Sequence, residues 1–288
     1  MQEQTQPSLS AYFRKEELKI SLPSKGTFYP PGTLELDSNG EVGVYPMTAL
    51  DEMTLKTPDG LLSGEATYKV IKSCVPAIKD PWQMPAIDVD SILIGIRIAS
   101  YGEKMRVTSI VPMTKTKQDH EINLVQLLES RKIAPIDTRV MLDNGLSVAV
   151  KPTSYKEMQN IRKETFEKQR LTRTINDSDM DPEVKEKEFN KIFATLTMLN
   201  VQTLTDNIDA ISSPDGTFND LASKHDFVNN VELKHVNMIR KRIDEINAIG
   251  SLPKYTVESP EEDIKKGAPK TYEVPVMLDN SDFFVSQS

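Results

Sequence analysis

The sequence predicts an α+β fold in which small antiparallel sheets pack on one buried helix, followed by an α-helical insertion that forms a helical hairpin or three-helix bundle. Three observations carry this. Residues 88–102, DVDSILIGIRIASYG, are the most apolar run in the chain, and after Asp90 only Arg97 is charged. A segment apolar on nearly all sides has to be covered by its neighbours, so it marks the centre of a core. Stretches 18–44 and 138–150 alternate apolar and polar residues around turn formers, as half-buried strands do. Beyond Pro152 the apolar spacing changes to that of helices.

Residues 1–17 are polar and read as a flexible tail, with Tyr12 and Phe13 as its only anchors. Leu18, Ile20 and Leu22 alternate, and Ser38-Asn39-Gly40 is placed to close a hairpin between Leu34–Leu36 and Val42–Val44. Pro46 ends that sheet, and Thr48 is positioned to cap a helix containing Asp51, Glu52, Met53 and Leu55 that stops before Pro58-Asp59-Gly60. A second helix over 62–73 carries Ala66, Val70 and Ile71 on one face. The linker 74–88 holds three prolines and Trp82, which either latches the loop onto the apolar segment or is an ordinary packed aromatic.

The apolar segment itself reads two ways. Ile92, Ile94, Ile96 and Ile98 alternate like a strand, whereas Asp88 and Asp90 sit where N-caps sit and Gly102 where a helix ends. The helix is preferred. Strands follow over 104–111 and 119–123, a short helix over 124–131, and a hairpin closed by Asp143-Asn144-Gly145. Past Pro152, a charged helix spans 153–173 with Met158, Ile161, Thr165 and Lys168 as a thin stripe. Pro182 opens a second helix whose apolar face comprises Phe189, Ile192, Phe193, Leu196, Leu199 and Leu204. A third spans 219–249, broken near Asp226, before a linker over 251–267 and a terminal strand. The expected organisation is a tail (1–17), an α+β domain (18–152), a helical insertion (153–250), and a linker and strand (251–288) returning to the first domain.

Composition limits the chemistry. A net charge of -8 argues against phosphate backbones and anionic membranes as partners, and no apolar run reaches the ~18 residues of a membrane helix. The lone Cys74 rules out a disulfide within the chain and a zinc site built from cysteines. The start, MQEQTQPSLS, lacks the charged and apolar regions of a secretory signal, so the expected setting is the cytoplasm or a particle assembled there. No phosphate loop, nucleotide fingerprint or metalloprotease motif occurs. Asp51 and Glu52 are adjacent on a helix and point apart; His120, His225 and His235 stand in unrelated contexts. The basic residues of 162–173 are interleaved with glutamates and read as a solvated face. The expectation is a non-enzymatic chain without cofactor, metal, nucleic acid or membrane.

Three motifs, LPSKGTFYP (22–30), VYPMTALDEMTLKTPDGLLSG (44–64) and VIKSCVPAIKDPWQMPAIDVDSILIGIRIASYG (70–102), resemble the baseplate hub protein family of T-even-type tailed bacteriophages. The resemblance runs over residues 18–150, and the end LDNSDFF resembles the family's C-terminus. It implies a non-enzymatic protein of a contractile-tail baseplate whose partners are other tail proteins, with self-association in the particle left open, and it favours the helix over 89–101. The alternatives are a transient assembly chaperone missing from the mature virion, or a nucleic-acid-binding descendant of a zinc ribbon.

The resemblance also leads one to expect Cys-Pro-x-Cys knuckles where this chain has Val111-Pro112-Met113-Thr114 and Ser259-Pro260-Glu261-Glu262. Either Val111, Thr114, Ser259 and Glu262 mark a degenerate zinc site, with segments 103–123 and 255–285 packed as a ribbon without metal, or the two motifs are unrelated prolines in turns. The aromatics Phe28, Tyr29, Trp82, Phe283 and Phe284 are the candidate protein contacts, with a place in the core as the alternative for each.

Overall fold

The computed structural model describes residues 9–57, 63–129, 135–252, 254–274 and 283–284. Strands β1 (Leu18–Ser21) and β2 (Glu41–Val44) pair antiparallel, with Ile20 opposite Val42. Helices α1 (Ala49–Leu55) and α2 (Glu65–Cys74) follow, then α3 (Val89–Tyr101), which is the apolar segment. It is a helix: Leu93 is buried together with its neighbours Ile92 and Ile94, and Arg97 together with Ile96, and a one-sided strand would not bury adjacent residues in this way. Gly95 faces β1 and β2. A Cβ there would lie 3.1 Å from Ile20 Cδ1 and 3.4 Å from Val44 Cγ2, so glycine sets how closely the sheet rests on the helix.

Next come the hairpin of β3 (Lys104–Ile110) and β4 (Lys117–Asn123), helix α4 (Leu124–Glu129), and the hairpin of β5 (Arg139–Met141) and β6 (Ser147–Val150). Two long helices, α5 (Tyr155–Asn176) and α6 (Pro182–Asn207), pack on each other. Strands β7 (Ile208–Ser213) and β8 (Gly216–Phe218) lead to α7 (Leu221–Asn230) and α8 (Leu233–Ile249). The chain then forms β9 (Tyr255–Glu258), the short helix α9 (Glu261–Lys265) and β10 (Thr271–Val274), with β9 and β10 antiparallel.

The described residues form three apolar clusters. The first surrounds α3 and takes in β1, β2, α2, α4, Tyr155, Phe283 and Phe284. The second lies between the four-stranded sheet β5-β6-β7-β8 and the inner faces of α6, α7 and α8. The third joins Val111 to Val257, Ala268, Tyr272 and Val274. The first two meet where Ala86 N donates to Thr153 O at 2.8 Å and Tyr155 N to Met84 O at 2.8 Å. Gly250, at the end of α8, comes so close to this seam that a Cβ would lie 2.4 Å from Ile87 Cα.

Several expectations change. Val42–Val44 pairs with β1, not with Leu34–Leu36; Leu34 forms a lone bridge to Ile78. Ser38-Asn39-Gly40 is nevertheless a turn, held by Asp37 Oδ1 accepting from Asn39 N and Glu41 N. Asp88 does not cap α3, because its carboxylate is already taken by Ser24 N at 2.8 Å and Ser24 Oγ at 2.6 Å. Strands β7 and β8 stand between the second and third expected helices, where no strand was expected. Since β6 pairs with β7, the 139–150 hairpin packs with the chain beyond Pro152 rather than with the first core. Phe193 is 65% exposed although it belongs to the expected apolar face of α6. The third helix is two, parted at Val231-Glu232, and the 251–267 linker contains β9 and α9. The Pro58-Asp59-Gly60 turn, the end of the helix expected to reach Arg131, and most of the terminal strand lie outside the described residues.

Candidate protein-contact site

Thr48 and Asp51 form the expected capping box. Thr48 Oγ1 accepts from Asp51 N, and Asp51 Oδ2 accepts from Thr48 N at 2.8 Å and from Arg14 Nη1 at 3.2 Å. That carboxylate is spent on structure. The neighbouring Cys74 thiol is pushed up to about 12, first by burial and then by Asp51, so it is not a nucleophile at neutral pH. His235 is buried against Asp143. Among the described residues, no three of His, Cys, Asp and Glu converge to hold a metal ion.

The aromatic candidates do not form one rim. Trp82 is stacked between Tyr68 and Tyr155, with ring centroids 5.0 and 5.2 Å away, so it latches its loop to α2 and α5. Tyr29 is half-buried, and its phenol is pushed up by burial and by the Asp88 carboxylate. Phe28 is half-buried at a positive φ of 74°. Phe283 and Phe284 stack edge-to-face inside the first core, where Tyr101 Oη donates to Phe284 O at 2.9 Å. That leaves Phe28, Tyr29 and the edge of Trp82 reachable from outside.

The two hairpins at the degenerate knuckle positions do pack together. Ser109 Oγ lies 2.7 Å from Tyr272 Oη and 2.9 Å from His120 Nε2, and Thr116 Oγ1 donates to Asp263 Oδ2 at 2.7 Å. The first turn bends through positive φ at Met113 and Lys115, and Val111 is buried in the shared cluster. Ser259 is buried, and its Oγ has no hydrogen-bond partner among the described residues. Val111 and Thr114 offer no anionic ligand, Glu262 is exposed, and the Asp263 carboxylate is engaged by Thr116. These side chains do not fit a zinc ion, and the two hairpins meet through apolar and hydroxyl contacts.

The helical hairpin expected from the apolar spacing is present, and beside it lies a surface feature not found from sequence, because it gathers residues from distant parts of the chain. From residue 160 to residue 200 only Ile175 and Ile192 are buried, so α5 and α6 form a slender helical pair that leaves Phe166, Phe193 and Met198 exposed. Beside it, a groove of about 1010 Å³ runs between α5 and the face made by α1 and α3, with Phe284 at its border.

The model of the T4 bacteriophage base plate protein family matches residues 18–263. No curated protein and no solved structure matches the chain. The matched span takes in the first core, the helical pair, the four-stranded sheet and the start of α9. The chain belongs to the T4 bacteriophage base plate protein family and is a phage baseplate component.

Proposed function

We propose that the chain works in the baseplate hub, or directly beside it, as a non-enzymatic component that acts through protein-protein contacts during assembly in the host cytoplasm. The order of the three motifs over 22–102 favours the hub within the family. The observation that carries the contact reading is the α5–α6 pair. Helices of 22 and 26 residues with so little buried apolar surface gain their stability when another surface covers them. Phe28, Tyr29 and Trp82 form a second contact patch on the first domain. The knuckle positions Val111, Thr114, Ser259 and Glu262 are the remains of a zinc site whose fastening role has passed to side-chain packing.

Quantifying the chain in purified tails and in assembly intermediates tests this. A fixed copy number in mature tails supports a structural component. Presence in hub intermediates alone supports a transient chaperone, and absence from both overturns the hub assignment. Tight, salt-sensitive DNA retention on filters would point instead to a nucleic-acid-binding module.

A further inference from the structure

We propose that the groove between α5 and the α1–α3 face receives an amphipathic helix of another baseplate protein, one whose apolar stripe is flanked by Asp and Glu. The inference rests on the baseplate reading and names the chemistry of one partner. Leu55, Leu93 and Met158 supply apolar lining, and Phe166, 54% exposed, stands on the α5 side. From Met158 to Arg170 this wall is about 18 Å long at 1.5 Å per residue, the length of three turns of a second helix. A volume of about 1010 Å³ is at the upper limit of small-molecule pockets and suits side chains projecting from a helix.

Charge selects the kind of helix. Arg162, Lys163 and Arg170 line the groove from α5, and none forms an ion pair with any described residue. The acidic side chains along it are Glu52, which is held by Lys56 at 2.8 Å, Asp90 and Glu167; the cations are Lys56, Arg162, Lys163 and Arg170. The groove is thus locally basic in a chain of net charge -8. Carboxylates beside the partner's apolar stripe would meet guanidinium groups that hold no ion pair among the described residues, whereas lysines there would meet like charge. A second copy of this chain is less well matched, since the exposed basic row would face itself under twofold symmetry.

The test places the photo-cross-linker benzoylphenylalanine at position 166 of the full chain, supplied during infection, and sequences the cross-linked peptide. The expected product is a segment of a different tail protein with helical apolar spacing and net negative charge. The variant R162E/K163E/R170E should lower the yield about tenfold, and the neutral R162Q/K163Q/R170Q should lower it less, which guards against an effect of helix fraying. A peptide from this chain, a basic or non-amphipathic peptide, or no cross-link while the chain is present in baseplate assemblies would overturn the inference. Absence of the wild-type chain from those assemblies would instead remove the baseplate reading beneath it.

Discussion

Tyr272 Oη lies 2.7 Å from Ser109 Oγ, joining two hairpins 163 positions apart in the chain. The same hydroxyl donates to Gln118 Oε1 at 3.1 Å, and both hairpins bury apolar side chains beneath it. Tyr272→Phe keeps the ring and removes the hydroxyl with its hydrogen bonds. It should cost about 1 kcal/mol, read as a lower urea midpoint with an unchanged slope.

His120 belongs to the same cluster, 2.9 Å from Ser109 Oγ and 3.1 Å from Tyr272 Oη. Burial lowers its pKa from 6.5, against a smaller opposing pull from Asp119. The folded chain therefore binds the proton less readily than the unfolded chain, and stability falls as pH drops below about 6.5. His120→Gln should flatten that part of the profile, as measured by urea midpoints from pH 7.5 to 5.5.

Arg97 is 1% exposed; its guanidinium stacks 4.7 Å from the Tyr101 ring, and Nε and Nη1 have no hydrogen-bond partner among the described residues. Burial lowers its pKa, as expected for a charge removed from water. Arg97→Met keeps the length of the side chain and removes the uncompensated charge. It should raise stability by about 1–3 kcal/mol in urea denaturation.

Gly250 leaves no room for a side chain, since the atoms a Cβ would strike are the backbone of Ile87. Gly250→Ala should cost about 1–3 kcal/mol by pushing the end of α8 off the seam between the two larger clusters. Comparing thermal unfolding of the variant and the parent checks this, because a loosened seam would split one transition into two.

If the knuckle positions are remains of a metal site, the combined variant V111C/T114C/S259C/E262C should bind one Zn²⁺ per chain and melt at a higher temperature with zinc than with chelator. No binding by the folded variant would show that the two turns merely resemble knuckles.

The α3 helix was legible because its apolar content exceeds what a one-sided strand can bury, and α1 because Thr48 and Asp51 carry its start in four residues. Strand partners were harder to read. Val42–Val44 had a nearby candidate in Leu34–Leu36 and a more distant one in β1, and alternation alone does not choose between them. Strand β7, IDAISS, has too little β-branched content to stand out beside the long helix before it. Asp88 looked like a cap because the competing donor, Ser24, lies 64 positions away. The packing of the two hairpins was expected only from the family resemblance around Pro112 and Pro260, whereas the groove draws on residues from Glu52 to Phe284 and has no local signature.

Phe283 and Phe284 fill the core around a helix that begins at Val89, and Tyr101 holds the second of them in place. During synthesis this core therefore stays incomplete until Phe283 and Phe284 have been made, the latter 183 positions after Tyr101 at the end of α3. Chains terminated before that pair leave the packing around α3 unfinished, which marks them for proteolysis before they can enter a particle as defective parts.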